Sequence, residues 1–213
     1  MVIIKEDFKK YTVTYSVIAL CFTVFLLQQF MHGKIEYLLF LIPERIVDNV
    51  EIWRVFTPAL LHFGFFHILF NVLIFSFFGQ LIETGFGWVK LLLMFFIFSG
   101  ISNLFQYLIS QSYTFGGLSG VVSGVVGYCV IIALSPSAAG RYKMAVGLCL
   151  INIVFNIIEY FSDSHVAFGA HAAGLVAGLV WGIIDYRKMA AGTGRRETIG
   201  DIFGRLVDIL KNR

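Results

Sequence analysis

Five consecutive residues, Gly116-Gly117-Leu118-Ser119-Gly120, form a short polar break between two long apolar runs. Three further polar residues, His67, Asn71 and His171, lie in equally apolar surroundings. Such groups are costly to bury in hydrocarbon, so those retained there are candidates for function. A serine hydroxyl becomes a nucleophile when an adjacent base takes its proton. Ser119 and His171 supply those two parts. His67 and Asn71 both carry N–H donors and are four residues apart, on one face of a helix. They are candidates for stabilising an oxyanion, and the chemistry open to the four together is acyl transfer.

The elements that must position them are membrane helices. The chain has 213 residues, of which 58% are hydrophobic and 14% charged, with mean hydropathy +0.84. A soluble domain is nearer a quarter charged. Twenty-three Phe and only three Pro fit an all-α polytopic bundle. Six spans are expected, at about residues 12–31, 65–82, 89–109, 119–134, 144–160 and 167–184. They form one membrane domain over residues 1–190, followed by a tail at 191–213. The first run is read as a retained helix, because it is span-length and no cleavage site of the A-x-A kind follows it. No soluble domain is expected. Cys21, Cys129 and Cys149 lie inside apolar runs and read as small hydrophobes, not as a disulfide framework or a metal site. No cofactor, metal or nucleic acid is expected.

Charge supports the span count. Of the 16 basic residues, only Lys34, Arg45 and Arg54 fall in the long first loop. The others lie in the N-terminal tail, the second–third turn (Lys90), the fourth–fifth turn (Arg141, Lys143) and the C-tail from Arg187 onward. By the positive-inside rule both ends are cytoplasmic, which requires an even number of spans. The first loop, about 32–64, mixes Leu38, Phe40, Ile42 and Trp53 with Glu36, Glu44, Arg45 and Arg54. It reads either as a structure in the outer interface anchored by Trp53-Arg54, or as an ordered loop with a purely structural role. In the tail, Ile199, Ile202, Phe203, Leu206, Ile209 and Leu210 recur at helical spacing. That amphipathic helix would lie on the inner membrane surface or pack on a partner protein.

The fourth span is short, about 24 Å at 1.5 Å per residue, against a hydrocarbon core of about 30 Å. If its lower end reaches the cytoplasmic surface, Ser119 starts a helix below the outer one. Unpaired N–H groups and the positive end of the helix dipole at that start favour negative charge beside Ser119. Gly120 and Gly124, and likewise Gly174, Gly178 and Gly182, are four apart, and such faces let helix backbones approach closely. If the fourth and sixth helices pack through them, His171 reaches Ser119. His62, one turn outside His67, could bind water or orient the loop. No acid suits a triad. Asp185 is 14 residues beyond His171, about 21 Å along the helix, and Glu159 and Asp163 are off the face of His171. A Ser–His dyad is the expectation. Each residue also has a plain structural role available: hydroxyl bonded to carbonyl, buried histidine, packing glycine.

Trp53-Arg54, His62, His67-Ile68-Leu69-Phe70-Asn71, Gly117-Leu118-Ser119-Gly120 and Ala170-His171-Ala172-Ala173-Gly174 occur in this order over residues 12–186. In order, spacing and membrane placement they resemble the rhomboid family of intramembrane serine proteases, of the bacterial six-helix type. The resemblance implies a six-helix core, a Ser119–His171 dyad, and an oxyanion hole from the Ser119 amide, His67 and Asn71. It implies a transmembrane segment of another protein as substrate, cut near the outer face, and residence in a bacterial inner membrane among its lipids. One position departs: bacterial relatives commonly carry an aromatic one turn after the serine, stacking on the histidine, and here it is Ser123. Its hydroxyl could bond the imidazole or the Ser119 carbonyl. The cytoplasmic N-terminal domain of some relatives is not expected. Two other readings remain: a non-cleaving membrane chaperone of the same family, and an electron-transfer protein with His67 and His171 as axial haem ligands.

Overall fold

The first apolar run folds as helix α1 (Thr12–Met31) in the computed structural model, which describes residues 9–31, 33–135, 147, 167–192, 198, 200–202, 204 and 207. The first loop folds as α2 (Lys34–Leu39), α3 (Pro43–Asn49) and two 3₁₀ turns, Ile52–Val55 and Thr57–Leu60. Then come α4 (Phe65–Phe86), α5 (Trp88–Ser110), α6 (Ser119–Ala133) and α7 (Phe168–Gly192). No strand occurs among the described residues. The helix starts agree with the expected spans within a residue, while α4 and α7 continue past the expected ends at 82 and 184. The expected fifth span at 144–160, apart from residue 147, and most of the amphipathic tail lie outside the described residues. Helices α1, α4, α5 and α7 are long and apolar enough to cross a membrane, and the chain is an integral membrane protein.

Burial separates one helix from the rest. Every residue of α6 from Gly120 to Ala133 is buried. The longer helices expose Leu26, Phe30, Phe66, Leu108 and Val176. In water such faces would be a liability; against lipid tails they are at equilibrium. The site helix is therefore the hub, and its neighbours face the bilayer.

Because lipid is as apolar as the helix faces, close approach and polar ties must hold the bundle. A Cβ at Gly178 would lie 1.9 Å from the Gly124 carbonyl oxygen, and one at Gly174 would lie 2.1 Å from that of Gly120. The expected glycine faces do meet, backbone on backbone. At one end of the bundle, the Glu83 carboxylate of α4 accepts from Val13 N (3.0 Å), Thr14 N (2.9 Å) and Thr14 Oγ1 (2.5 Å). It caps the free amides of the first turn of α1 and sits at the positive end of that helix dipole. Asp185 of α7 accepts from Lys90 of α5 and from the Tyr128 hydroxyl of α6 (2.9 Å), so one carboxylate ties three helices. The Lys90 ammonium also lies 4.2 Å from the Trp181 ring centroid.

In the first loop Arg54 is 2% exposed. It donates to the Tyr37 carbonyl (2.6 Å), the Phe40 carbonyl (3.0 Å) and Glu51 (2.5 Å). Trp53 is exposed. The expected Trp53-Arg54 anchor thus divides: the indole can face the interface, while the guanidinium satisfies the loop's own carbonyls.

Gly178→Ala tests the helix contact. The added methyl meets backbone, which cannot swing aside, and a loss of about 1–3 kcal/mol is expected. The check is thermal unfolding in detergent beside Gly192→Ala, whose Cβ would meet nothing within 4 Å.

Candidate active site

Ser119 is the first residue of α6, and Leu118 before it provides no side-chain cap. The approach to that start is held by the first loop. Gly117 N donates to the Pro58 carbonyl (2.9 Å), and a Cβ on Gly116 would collide with Leu61 Cβ at 2.7 Å. Gly117 has φ +128°, a conformation that L side chains rarely adopt. The Leu118 amide points at His62 Nε2, at 3.5 Å. His62 Nδ1 lies 3.1 Å from the Leu60 carbonyl, so Nδ1 carries the proton and Nε2 accepts. Burial holds this imidazole below the usual histidine range, which keeps the accepting form neutral. Of the two roles open to His62, the geometry favours orienting the loop.

His171 lies in the first turn of α7, and its Nε2 is 2.6 Å from Ser119 Oγ. The same nitrogen is the one an axial haem ligand would present to iron. Gln106 of α5 sets the start of α7 by accepting from Ala170 N at 3.1 Å. His171 Nδ1 is buried and has no hydrogen-bond partner among the described residues. No described carboxylate orients the ring. Asp185 is committed to Lys90 and Tyr128, and Glu159 and Asp163 lie outside the described residues.

On α4, Asn71 Nδ2 donates to the His67 carbonyl one turn back (2.9 Å), which leaves its second N–H for another acceptor. Phe63 N approaches His67 Nδ1 at 3.5 Å. With Nδ1 accepting, the His67 proton is on Nε2. The space that a Gly117 side chain would fill is bordered by that Nε2 at 2.7 Å and by Ser119 Oγ at 3.5 Å. The missing side chain leaves room for an atom between donor and hydroxyl. His67 also packs edge-on against His62, with ring centroids 5.0 Å apart.

Ser119, His171, His67, His62 and Gly117 are thus brought together, and Asn71 is tied to them through the His67 carbonyl. Gly120 and Gly174 act by absence: a Cβ on either would press on Ser102, at 2.6 Å from its Cβ and 3.0 Å from its Oγ respectively. Ser123 forms neither expected bond; its Oγ is buried without a partner among the described residues. Among the described residues no group of His, Cys, Asp or Glu could hold a metal. Two residues escaped the sequence reading. Gln28 of α1 accepts from His62 N (3.1 Å) and donates to Glu36 (3.1 Å), and Gln106 seats α7. The signal was present, since both are polar residues inside apolar runs, as His67 is.

The family model of the Rhomboid domain matches residues 49–188. The chain is 35% identical over 179 residues to the Rhomboid protease GlpG of Haemophilus influenzae, covering 81% of this chain and 90% of that protein. It is 33% identical over 174 residues to the Rhomboid protease GlpG of two Klebsiella pneumoniae strains, covering 81% of this chain. It spans 62% of the length of those two relatives. With these similarities and the matched span, the chain belongs to the rhomboid family of intramembrane serine proteases.

Proposed function

We propose that this chain hydrolyses peptide bonds in or next to the transmembrane segments of other membrane proteins, with Ser119 as nucleophile and His171 as its base. The observation that carries the reading is the 2.6 Å contact between His171 Nε2 and Ser119 Oγ, in a helix start that is half-buried below a braced loop. Ser119 Oγ attacks the scissile carbonyl carbon while its proton passes to His171 Nε2. The carbonyl oxygen becomes an oxyanion, held by the Ser119 amide, His67 Nε2–H and the second Asn71 N–H. Collapse expels the amine, which leaves with the His171 proton, and an acyl-enzyme remains. His171 then takes a proton from water, which attacks the ester and returns Ser119 as the hydroxyl. Gly117 leaves the space for the oxyanion, and Gly120 and Gly174 let α6 and α7 close on each other.

Residues 1–190 then form a six-helix membrane domain, and residues 191–213 a cytoplasmic tail lying against lipid. The basic residues on the tail side support cytoplasmic N- and C-termini in a bacterial inner membrane.

Ser119→Ala should abolish both substrate cleavage and fluorophosphonate labelling with the protein still folded. Turnover comparable to wild type would remove this mechanism. If His171 works without a carboxylate, Glu159→Gln and Asp163→Asn should keep most activity and His171→Ala should not. Asp185→Asn should lower the melting temperature, because it leaves Lys90 less well paired, and leave the labelling rate of folded enzyme near wild type. A fall of orders of magnitude in any acid variant would restore a triad. Asn71→Ala and His67→Ala should each lower turnover by about 10²–10³, as the loss of one preorganised donor does, with much smaller changes in apparent affinity. The double variant should lose less than the product if both donors serve one oxygen. Turnover and affinity measured separately in liposomes decide this. Unchanged turnover with altered stability would make both residues interhelical ties.

A further inference from the structure

Among the buried polar atoms without partners within the described residues are one on the base and one a turn after the nucleophile: His171 Nδ1 and Ser123 Oγ. Both side chains are more than nine-tenths buried, at 8% and 2% exposure. A buried donor or acceptor left unpaired costs about 1–3 kcal/mol, so a native structure that keeps two of them close together invites a common explanation.

The register of the helices places them on the same seam. Residues 119, 123 and 127 form one stripe of α6, since they are four apart. At its upper end Ser119 bonds His171. At its lower end a Cβ on Gly127 would meet the Leu175 carbonyl at 2.7 Å and Leu179 N at 3.3 Å. The stripe 171, 175 and 179 of α7 therefore runs along the stripe 119, 123 and 127, and Ser123 stands against the turn between His171 and Leu175. The glycine pairs at 120 with 174 and at 124 with 178 hold this register by backbone contact.

The two atoms are chemically complementary. With Nε2 accepting from Ser119, a neutral His171 carries its proton on Nδ1 and needs an acceptor there. A serine hydroxyl offers acceptor lone pairs. We propose that Ser123 is a positioning residue for the base: its Oγ accepts from His171 Nδ1–H, reached by rotation about χ1 or through one bridging water. The bond selects the tautomer whose Nε2 faces Ser119 and fixes the ring plane. It also stabilises the imidazolium formed when Nε2 takes the nucleophile's proton. Ser123 touches neither substrate nor reacting atoms. It takes the orienting place that an acid occupies in a triad, with a neutral acceptor suited to a site shielded from water.

The proposal rests on the dyad reading, and the experiment separates the two. Fluorophosphonate labelling rates, and kcat and KM on a transmembrane substrate, are measured for the wild type, Ser123→Ala, Ser123→Thr and His171→Ala in the full-length protein. Loss of one neutral hydrogen bond to the base is expected to lower labelling and kcat by about tenfold in Ser123→Ala, with KM unchanged. Ser123→Thr, which keeps the hydroxyl, retains most of the rate. In the ¹⁵N spectrum of histidine-labelled wild type, His171 should be protonated at Nδ1, with a resonance that moves in Ser123→Ala. The spectrum decides even if Thr does not fit the seam. Wild-type rates in Ser123→Ala, or an unmoved His171 resonance, would overturn the positioning role and leave the dyad standing. Full labelling of His171→Ala would overturn the dyad itself.

Discussion

The structure depends on the contact between two helix backbones. A Cβ at Gly178 would fall 1.9 Å from the Gly124 carbonyl oxygen, and one at Gly174 2.1 Å from that of Gly120. Those distances leave no room for any side chain. They bring α6 and α7 closer than helices separated by larger residues can come, and the 2.6 Å contact of Ser119 with His171 follows from them. In a bilayer no hydrophobic force between helices would restore that approach once it was lost, because lipid solvates an apolar face as well as a neighbouring helix does. Geometry at the glycines therefore sets the distance between Ser119 and His171.

A site built this way has two opposed needs. The oxyanion is best stabilised where water is excluded and donors are already aimed. The backbone leading into α6 is non-helical, however, and tolerates such depth only where its polar groups are satisfied. The first loop meets that need with its own atoms and one side chain of α1. Pro58 accepts from Gly117, His62 from Leu118, and Gln28 accepts from the amide of His62. Arg54 in turn satisfies the loop carbonyls of Tyr37 and Phe40. The amide of Leu118 is thus occupied within the protein, and that of Ser119 lies at a helix start with no side-chain cap. The same loop gives His67 its tautomer through the Phe63 amide.

Away from the site, the charged groups do mechanical work at a helix end or across a helix junction. Glu83 caps α1, and Asp185 ties α5, α6 and α7. Each lies where a helix terminus or a cation compensates the carboxylate, so neither leaves an isolated charge in the hydrocarbon. The centre of the bundle is left to neutral polar groups, which can be buried at lower cost and can still donate, accept and shuttle protons.

Much of this protein is decided by local properties that a sequence carries. Apolar runs of span length located α1, α4, α5 and α7, because the bilayer sets their length. The shortness of residues 119–134 indicated a recessed helix start. Small residues four apart on two helices announced a close crossing, and polar residues inside apolar runs marked the candidate site. Tertiary structure alone decided which partner each polar group takes. Arg54 could have faced the headgroups, and it is instead folded onto carbonyls more than a dozen residues earlier in the chain. Gln28 and Gln106 were visible as polar residues, but their work on His62 and Ala170 depends on pairs 34 and 64 residues apart. Ser123 could bond its own helix or its neighbour, and its hydroxyl is buried with no partner among the described residues. The physical reason is range: hydrophobic length and helical period are properties of a few consecutive turns, whereas a hydrogen bond between helices exists only once their register and separation are set.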